Sequence, residues 1–218
     1  MYKSLDISKP DSIKSFVSDL KSAGQPVDVL INNAGINLDK NFNYDNATTT
    51  VDVNYRGTLH MCQAILPLLA KNGRIVNLSS VGSLLTPYSK EVAQEFRTVS
   101  TLEEVDNLMD TYLHHVKNGT QSQGGYPVGG RSYSVSKAGI NAFTRILAKE
   151  NPGLTINCCC PGWIDTDMGG IVGKAPKSSH DGAVIPIRLA LDDIDGVTGR
   201  YWSNDDVRSK GPGKPQDW

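Results

Sequence analysis

The chain has 218 residues, 39% hydrophobic and 21% charged, the proportions of a soluble globular protein with enough length for one domain and a real core. A formal net charge of -1 supplies no basic field, which excludes electrostatic recruitment to nucleic acid or to an anionic membrane. No apolar run approaches the roughly 18 residues of a membrane span, and Met1-Tyr2-Lys3-Ser4-Leu5-Asp6 has no secretory h-region, so a cytoplasmic location is expected.

Strand-like and helical patterns alternate along the chain. Pro10 precedes a helical pattern over residues 11–23, with Ile13, Phe16, Val17 and Leu20 on one face and Gly24 ending it. Residues 27–31 form a short β run leading into Asn32-Asn33-Ala34-Gly35. Residues 48–69 are long enough for a helix that Pro67 must bend or end. A second strand, residues 74–78, runs into Ser79-Ser80. Residues 81–131 break the alternation. Within them 90–97 and 102–117 read as an inserted pair of helices, and 118–131, rich in glycine and holding Pro127, reads as a loop. A long helix over 133–149 stops before Pro152-Gly153. The third strand, 154–160, stops at Pro161-Gly162. A shorter helix over 181–191 is interrupted by Pro186, and 197–202 reads as a last, edge strand. Such alternation predicts an α/β fold: a Rossmann-like, doubly wound parallel sheet with helices on both faces, in a single domain over 1–218. Ligands of such sheets bind at the carboxyl ends of the strands, where this sequence carries small polar residues.

The four cysteines offer no metal spacing. Cys158, Cys159 and Cys160 are consecutive, so neighbours face opposite sides of a strand, and with Cys62 they read as buried, reduced thiols. The adjacent His114 and His115 lack the i, i+4 spacing of a helical metal site and read as exposed residues of the insertion. No metal is expected. Asn46, Asn77 and Asn118 match the glycosylation pattern and are read as chance.

Tyr133-Ser134-Val135-Ser136-Lys137 carries the chemistry. Residues i and i+4 share a helix face, so the phenol and the ammonium point at one place. A nearby cation favours phenolate and lowers a pKa that is ordinarily about 10. A tyrosine tuned in this way can give a proton to a carbonyl oxygen or take one from an alcohol.

With Asn32-Asn33-Ala34-Gly35, Asn54 in Val53-Asn54-Tyr55-Arg56-Gly57, Ser79-Ser80 and Pro161-Gly162-Trp163-Ile164-Asp165-Thr166-Asp167 in this order, the chain resembles the classical short-chain dehydrogenase/reductase family over nearly its whole length. The long insertion, Cys159-Cys160-Pro161-Gly162-Trp163, Thr166-Asp167-Met168 and the ending Gln216-Asp217-Trp218 resemble its monomeric carbonyl reductases. The resemblance implies a carbonyl reductase that takes hydride from NADPH, a small-molecule carbonyl substrate and a monomer. It implies Tyr133 as acid, Lys137 lowering its pKa and holding the cofactor ribose, and Ser80 bonding the substrate oxygen. Asn54 would hold a water that relays protons. Ile164 and Thr166 would hold the nicotinamide, Asn33 and Ala34 would line the adenosine side, and Asp6, with Ile7 after it, would contact adenine. Asp6 reads equally as a helix-start residue with Ser8 and Asp11. Adjacent strand residues face opposite ways, and family spacing selects Ser80 over Ser79. The cavity is expected between residues 163–177 and the insertion, with Gly169, Gly170 and Gly173 in a mobile lid.

The family's glycine-rich phosphate-binding turn has no counterpart in residues 1–218. Residues 2–7 correspond to the end of its third strand, so the N-terminal βαβ portion is expected to be absent. The strand at 27–31 would then be an exposed apolar edge, and NADPH would bind poorly. A truncated, inactive family member serving as a binding or regulatory module is the alternative.

Overall fold

The computed structural model describes residues 3–171 and 173–218. Helix α1 (Pro10–Ala23) starts with proline at its first position, where the missing N–H costs nothing. Ile13 and Val17 bury its apolar face. Strand β1 (Val27–Asn32) follows. The next helical stretch is composite: α2 (Tyr44–Val51), a π-helical turn (Asp52–Gly57) and α3 (Thr58–Ile65) run on without a break. Pro67 ends it in a 3-10 turn, after which β2 (Leu69–Leu78) begins.

The inserted helices are α4 (Lys90–Thr98) and α5 (Leu102–Asn118), each opened by a hydroxyl cap, Ser89 and Thr101. The glycine-rich loop then leads to α6 (Ser132–Glu150), β3 (Thr155–Cys159), the single turn α7 (Asp167–Gly170), α8 (Ser179–Leu191), β4 (Tyr201–Ser203) and β5 (Lys214–Gln216). The strands form one sheet in the order β1-β2-β3-β4-β5; the first four are parallel and β5 is antiparallel.

Alternation along the strands splits the core. Ile75, Cys158 and Cys160 face α6 and the insertion, whereas Val76, Leu78, Cys159 and Trp202 pack against Ile185 and Leu189 of α8. Helices therefore lie on both faces, as expected, and all four cysteines are free and buried. As expected too, β1 is the edge strand, with Ile31 42% exposed. Residues 3–6 form no strand.

Three expectations need correction. The strand over 197–202 is only Tyr201–Ser203 and is not an edge, because β5 pairs with it. Pro186 does not interrupt α8; burial of Ile185, Pro186, Leu189 and Ala190 outweighs its cost of about 3 kcal/mol. His115 is half-buried rather than exposed, its Nδ1 2.8 Å from Thr120 Oγ1 and its ring against Tyr126.

The insertion and α6 pack together. Tyr55 donates to Asp106 of α5 (2.8 Å), Tyr112 of α5 lies 3.2 Å from Ser132 Oγ of α6, and Arg145 of α6 donates to the Val99 carbonyl (2.6 Å). No described helix is long and apolar enough to cross a membrane.

Candidate active site

Parallel pairing brings the carboxyl ends of β1, β2 and β3 to one edge of the sheet. There Asn32 donates to Asn77 (2.8 Å), and Asn77 to Thr144 of α6 (2.9 Å), which joins the strand ends to the helix that carries Tyr133 and Lys137.

The two serines separate as strand alternation requires. Ser79 is buried and donates to Asn141 Oδ1 (2.6 Å). Ser80 lies half-buried in the wall of a cavity of 340 Å³ together with Tyr133, Asn37, Trp163, Ile164 and Thr166. Its backbone is fixed from both sides: Ser83 Oγ donates to the Ser80 carbonyl (2.6 Å), and Asn141 Nδ2 holds Ser83 Oγ (2.8 Å). Asn141 thus braces the residues either side of Ser80.

Lys137 is 4% exposed, and its Nζ donates to the Leu78 carbonyl at 2.6 Å. Burial pushes its pKa down to about 8. Burial pushes the Tyr133 phenol up to about 12, against a hydrogen bond from Ser80 that lowers it. The expected lowering of the phenol by Lys137 is therefore not found. The ammonium sits 5.5 Å from the phenol ring centroid and is committed to Leu78, so desolvation of the phenol prevails. Tyr133 consequently stays protonated across neutral pH, the form a proton donor needs.

Asn54 lies in the π-helical turn and is fully buried. Its Oδ1 accepts from Ile36 N–H (2.8 Å), and its Nδ2 donates to the Ile36 carbonyl (2.8 Å) and to Ser136 Oγ (3.1 Å). Both amide donors are engaged by protein, so Asn54 braces the loop after β1. Gly35 packs close beside it: a Cβ there would lie a tight 3.2 Å from Asn54 Oδ1 and in ordinary contact, 3.6 Å, with Lys137 Nζ.

A second cavity, of 260 Å³, is lined by Leu5, Ile7, Leu30, Asn32, Asn33 and Ala34 among others. The segment 33–37 thus contributes to both cavities. Asp6 does not line this one. Its carboxylate accepts from the Ser8 N–H (3.0 Å) and hydroxyl (2.6 Å) and pairs with Lys9 in the turn before α1, contacts that hold its pKa below the ordinary value. Thr166, whose Oγ1 accepts from Gly169 N–H (3.1 Å), caps α7 at the rim of the larger cavity.

Gly169 is closely packed: a Cβ would run into the Ile164 carbonyl, and the Trp163 indole donates to the Gly169 carbonyl (3.0 Å). Of the insertion, only Val81 lines the larger cavity; Val207, from the C-terminal segment, completes it.

Residues 1–93 match the profile described as short chain dehydrogenase, and residues 99–198 the profile described as enoyl-(acyl carrier protein) reductase. "Carbonyl reductase [NADPH] 1" of Mus musculus is 37% identical over 215 residues, 92% of this chain and 76% of the relative. The chain belongs to the short-chain dehydrogenase/reductase family. "Short-chain dehydrogenase/reductase 1" of Saponaria officinalis is 32% identical over 234 residues, covering 94% of this chain and 77% of that protein. Among solved structures, salutaridine reductase from Papaver somniferum superposes with a TM-score of 0.81 at 26% identity, over 92% of this chain and 81% of that one.

In this short-chain dehydrogenase/reductase, sequence reasoning missed Asn141, Asp39 and Lys177. Lys177 is 1% exposed and donates to the Pro161 carbonyl (2.8 Å), fixing the turn before Trp163. Asn141 carried one faint signal, a polar residue amid apolar neighbours; Lys177 and Asp39, in segments of mixed composition, carried none.

Proposed function

We propose that this chain is an NADPH-dependent carbonyl reductase. The observation that carries the reading is the Tyr133 phenol and the Ser80 hydroxyl on one 340 Å³ cavity, with the buried Lys137 one helical turn beyond Tyr133. The residues present fit the ribose, nicotinamide and adenosine parts of a nicotinamide cofactor, while the glycine-rich turn for its pyrophosphate has no counterpart in residues 1–218. Lys137 has one acceptor among the described residues, leaving two of its three donors for ribose hydroxyls. Ile164 and Thr166 stand at the larger cavity for the nicotinamide, and Ile7, Asn33 and Ala34 line the smaller one for the adenosine side. When bound, the cofactor supplies the hydride to the carbonyl carbon. Ser80 donates a hydrogen bond to the carbonyl oxygen as charge gathers there, and Tyr133 delivers the proton that completes the alcohol. Lys137 holds a positive charge beneath the phenol.

Among the described residues no charged side chain lines the larger cavity, and Val81, Trp163, Ile164, Met168 and Val207 make it apolar, which suits neutral ketones and aldehydes. Packing of the insertion on α2 and α6 supports a monomer and one domain over 1–218, and four free cysteines suit a reducing compartment such as the cytoplasm. The inactive alternative has no support among the relatives, which are reductases by name.

The test is reduction of isatin by NADPH. Tyr133→Phe should lower kcat by about 10²- to 10⁴-fold while NADPH titrated by fluorescence binds as before. A variant that keeps more than about a tenth of the parent rate sinks the reading.

A further inference from the structure

We infer that Asp39 is a positioning residue for Tyr133, acting as the N-terminal cap of the catalytic helix from a loop more than ninety residues upstream. Helix α6 has no cap of its own: Arg131, at its N-cap, makes no side-chain hydrogen bond to the helix. Its first amides would be orphaned. Asp39 supplies both acceptors, Oδ1 to the Ser132 N–H (3.0 Å) and Oδ2 to the Tyr133 N–H (3.1 Å). A carboxylate is the strong form of this contact, since charge assists the bonds and the positive end of the helix dipole favours an anion.

The contact closes a ring. Asn37 Oδ1 accepts from the Asp39 N–H (3.0 Å), and the neighbouring Ile36 is held at both polar backbone atoms by Asn54. Asn54 reaches Ser136 (3.1 Å), and Ser136 Oγ donates to the Tyr133 carbonyl (2.7 Å). The backbone of Tyr133 is thereby gripped at N–H and C=O by one circuit that also fixes the 36–39 loop. Asn37 of that loop lines the cavity that Tyr133 faces. The chain passes tightly here: a Cβ on Gly130 would lie 2.5 Å from the Asp39 carbonyl oxygen. Tyr133 occupies the first turn of α6, where helix ends fray, so the angle of its phenol to the cavity depends on a cap that the helix lacks. Asp39 touches neither cavity itself.

The inference rests on Tyr133 as proton donor, and the test separates the two. In the full chain, Asp39→Ala should lower kcat for isatin reduction by about 10- to 100-fold, with KM for isatin and the Kd of NADPH within about threefold. Asp39→Asn, which keeps one acceptor oxygen, should recover most of that loss. Carbon-13 NMR of ring-labelled tyrosine reads position without turnover: the Tyr133 resonance, assigned by its disappearance in Tyr133→Phe, should shift or broaden in Asp39→Ala while those of Tyr55 and Tyr201 stay. An unmoved Tyr133 resonance overturns the inference, as does a kcat within about twofold of the parent or an Asp39→Asn variant as slow as Asp39→Ala. If Tyr133→Phe itself still turns over, the proton-donor role fails, and the resonance alone then decides whether Asp39 places that side chain.

Discussion

Lys137 is held charged where charge is costly, so removing it should stabilise the fold while destroying the chemistry. The fall of its pKa from 10.5 to about 8, at about 1.4 kcal/mol for each factor of ten in acidity, is a folding cost of about 3 kcal/mol below pH 8. Lys137→Met removes that cost but leaves the buried Leu78 carbonyl without its donor, a loss of about 1–3 kcal/mol. The net expectation at pH 7 is a gain of up to about 2 kcal/mol, or a Tm higher by up to about 8 °C for a chain of this length. The pH dependence carries a sign. Below about 8 the lysine is charged both folded and unfolded, and the folded parent bears the full cost. Between about 8 and 10.5 the unfolded chain holds more protons, so the parent gains stability as pH rises, and the variant's advantage shrinks. Thermal or urea melts of parent and variant at pH 7 and pH 10, with activity assayed alongside, decide the matter. A variant less stable than the parent at pH 7, or an advantage that persists undiminished at pH 10, would refute the account of Lys137 as a desolvated cation.

The same two pKa values set an activity profile: kcat/KM for carbonyl reduction should fall above pH about 8 as Lys137 loses its charge, while Tyr133, with a pKa of about 12, stays protonated. A profile flat from pH 7 to 10 contradicts this. Asn141→Ala deletes hydrogen bonds to Ser79, Ser83 and Cys158, worth about 1 kcal/mol each, so calorimetry should find a Tm lower by about 6–12 °C. A Tm unchanged within error would show that the three partners find others.

The inserted helices were legible because residues 90–97 and 102–117 form their helices from local sequence, each opened by a hydroxyl cap, Ser89 and Thr101. The pairing of Tyr133 with Lys137 was legible for the same reason, as were the strand ends at Asn32 and Ser79. What escaped was set by distant partners. Strand β5 exists because Tyr201 and Trp202 offer it an edge, and its own Lys214-Pro215-Gln216 carries no β pattern. The π-helical turn at Asn54 leaves no mark on the apolar period. Asp6 had two readings in sequence, and its contacts to Ser8 and Lys9 in the turn became visible only in the fold.

By itself, then, the sequence determined the alternation of strands and helices, the face shared by Tyr133 and Lys137, and the opposite facing of Ser79 and Ser80, all consequences of periods of 3.6 and 2. Tertiary structure alone decided the charge states and the bracing. Burial lifts the Tyr133 phenol and depresses Lys137, reversing the expectation drawn from their spacing, because desolvation depends on everything packed around a group. The cap on the catalytic helix likewise comes from Asp39, brought to Ser132 and Tyr133 only when β1 and α6 pack at the same edge of the sheet.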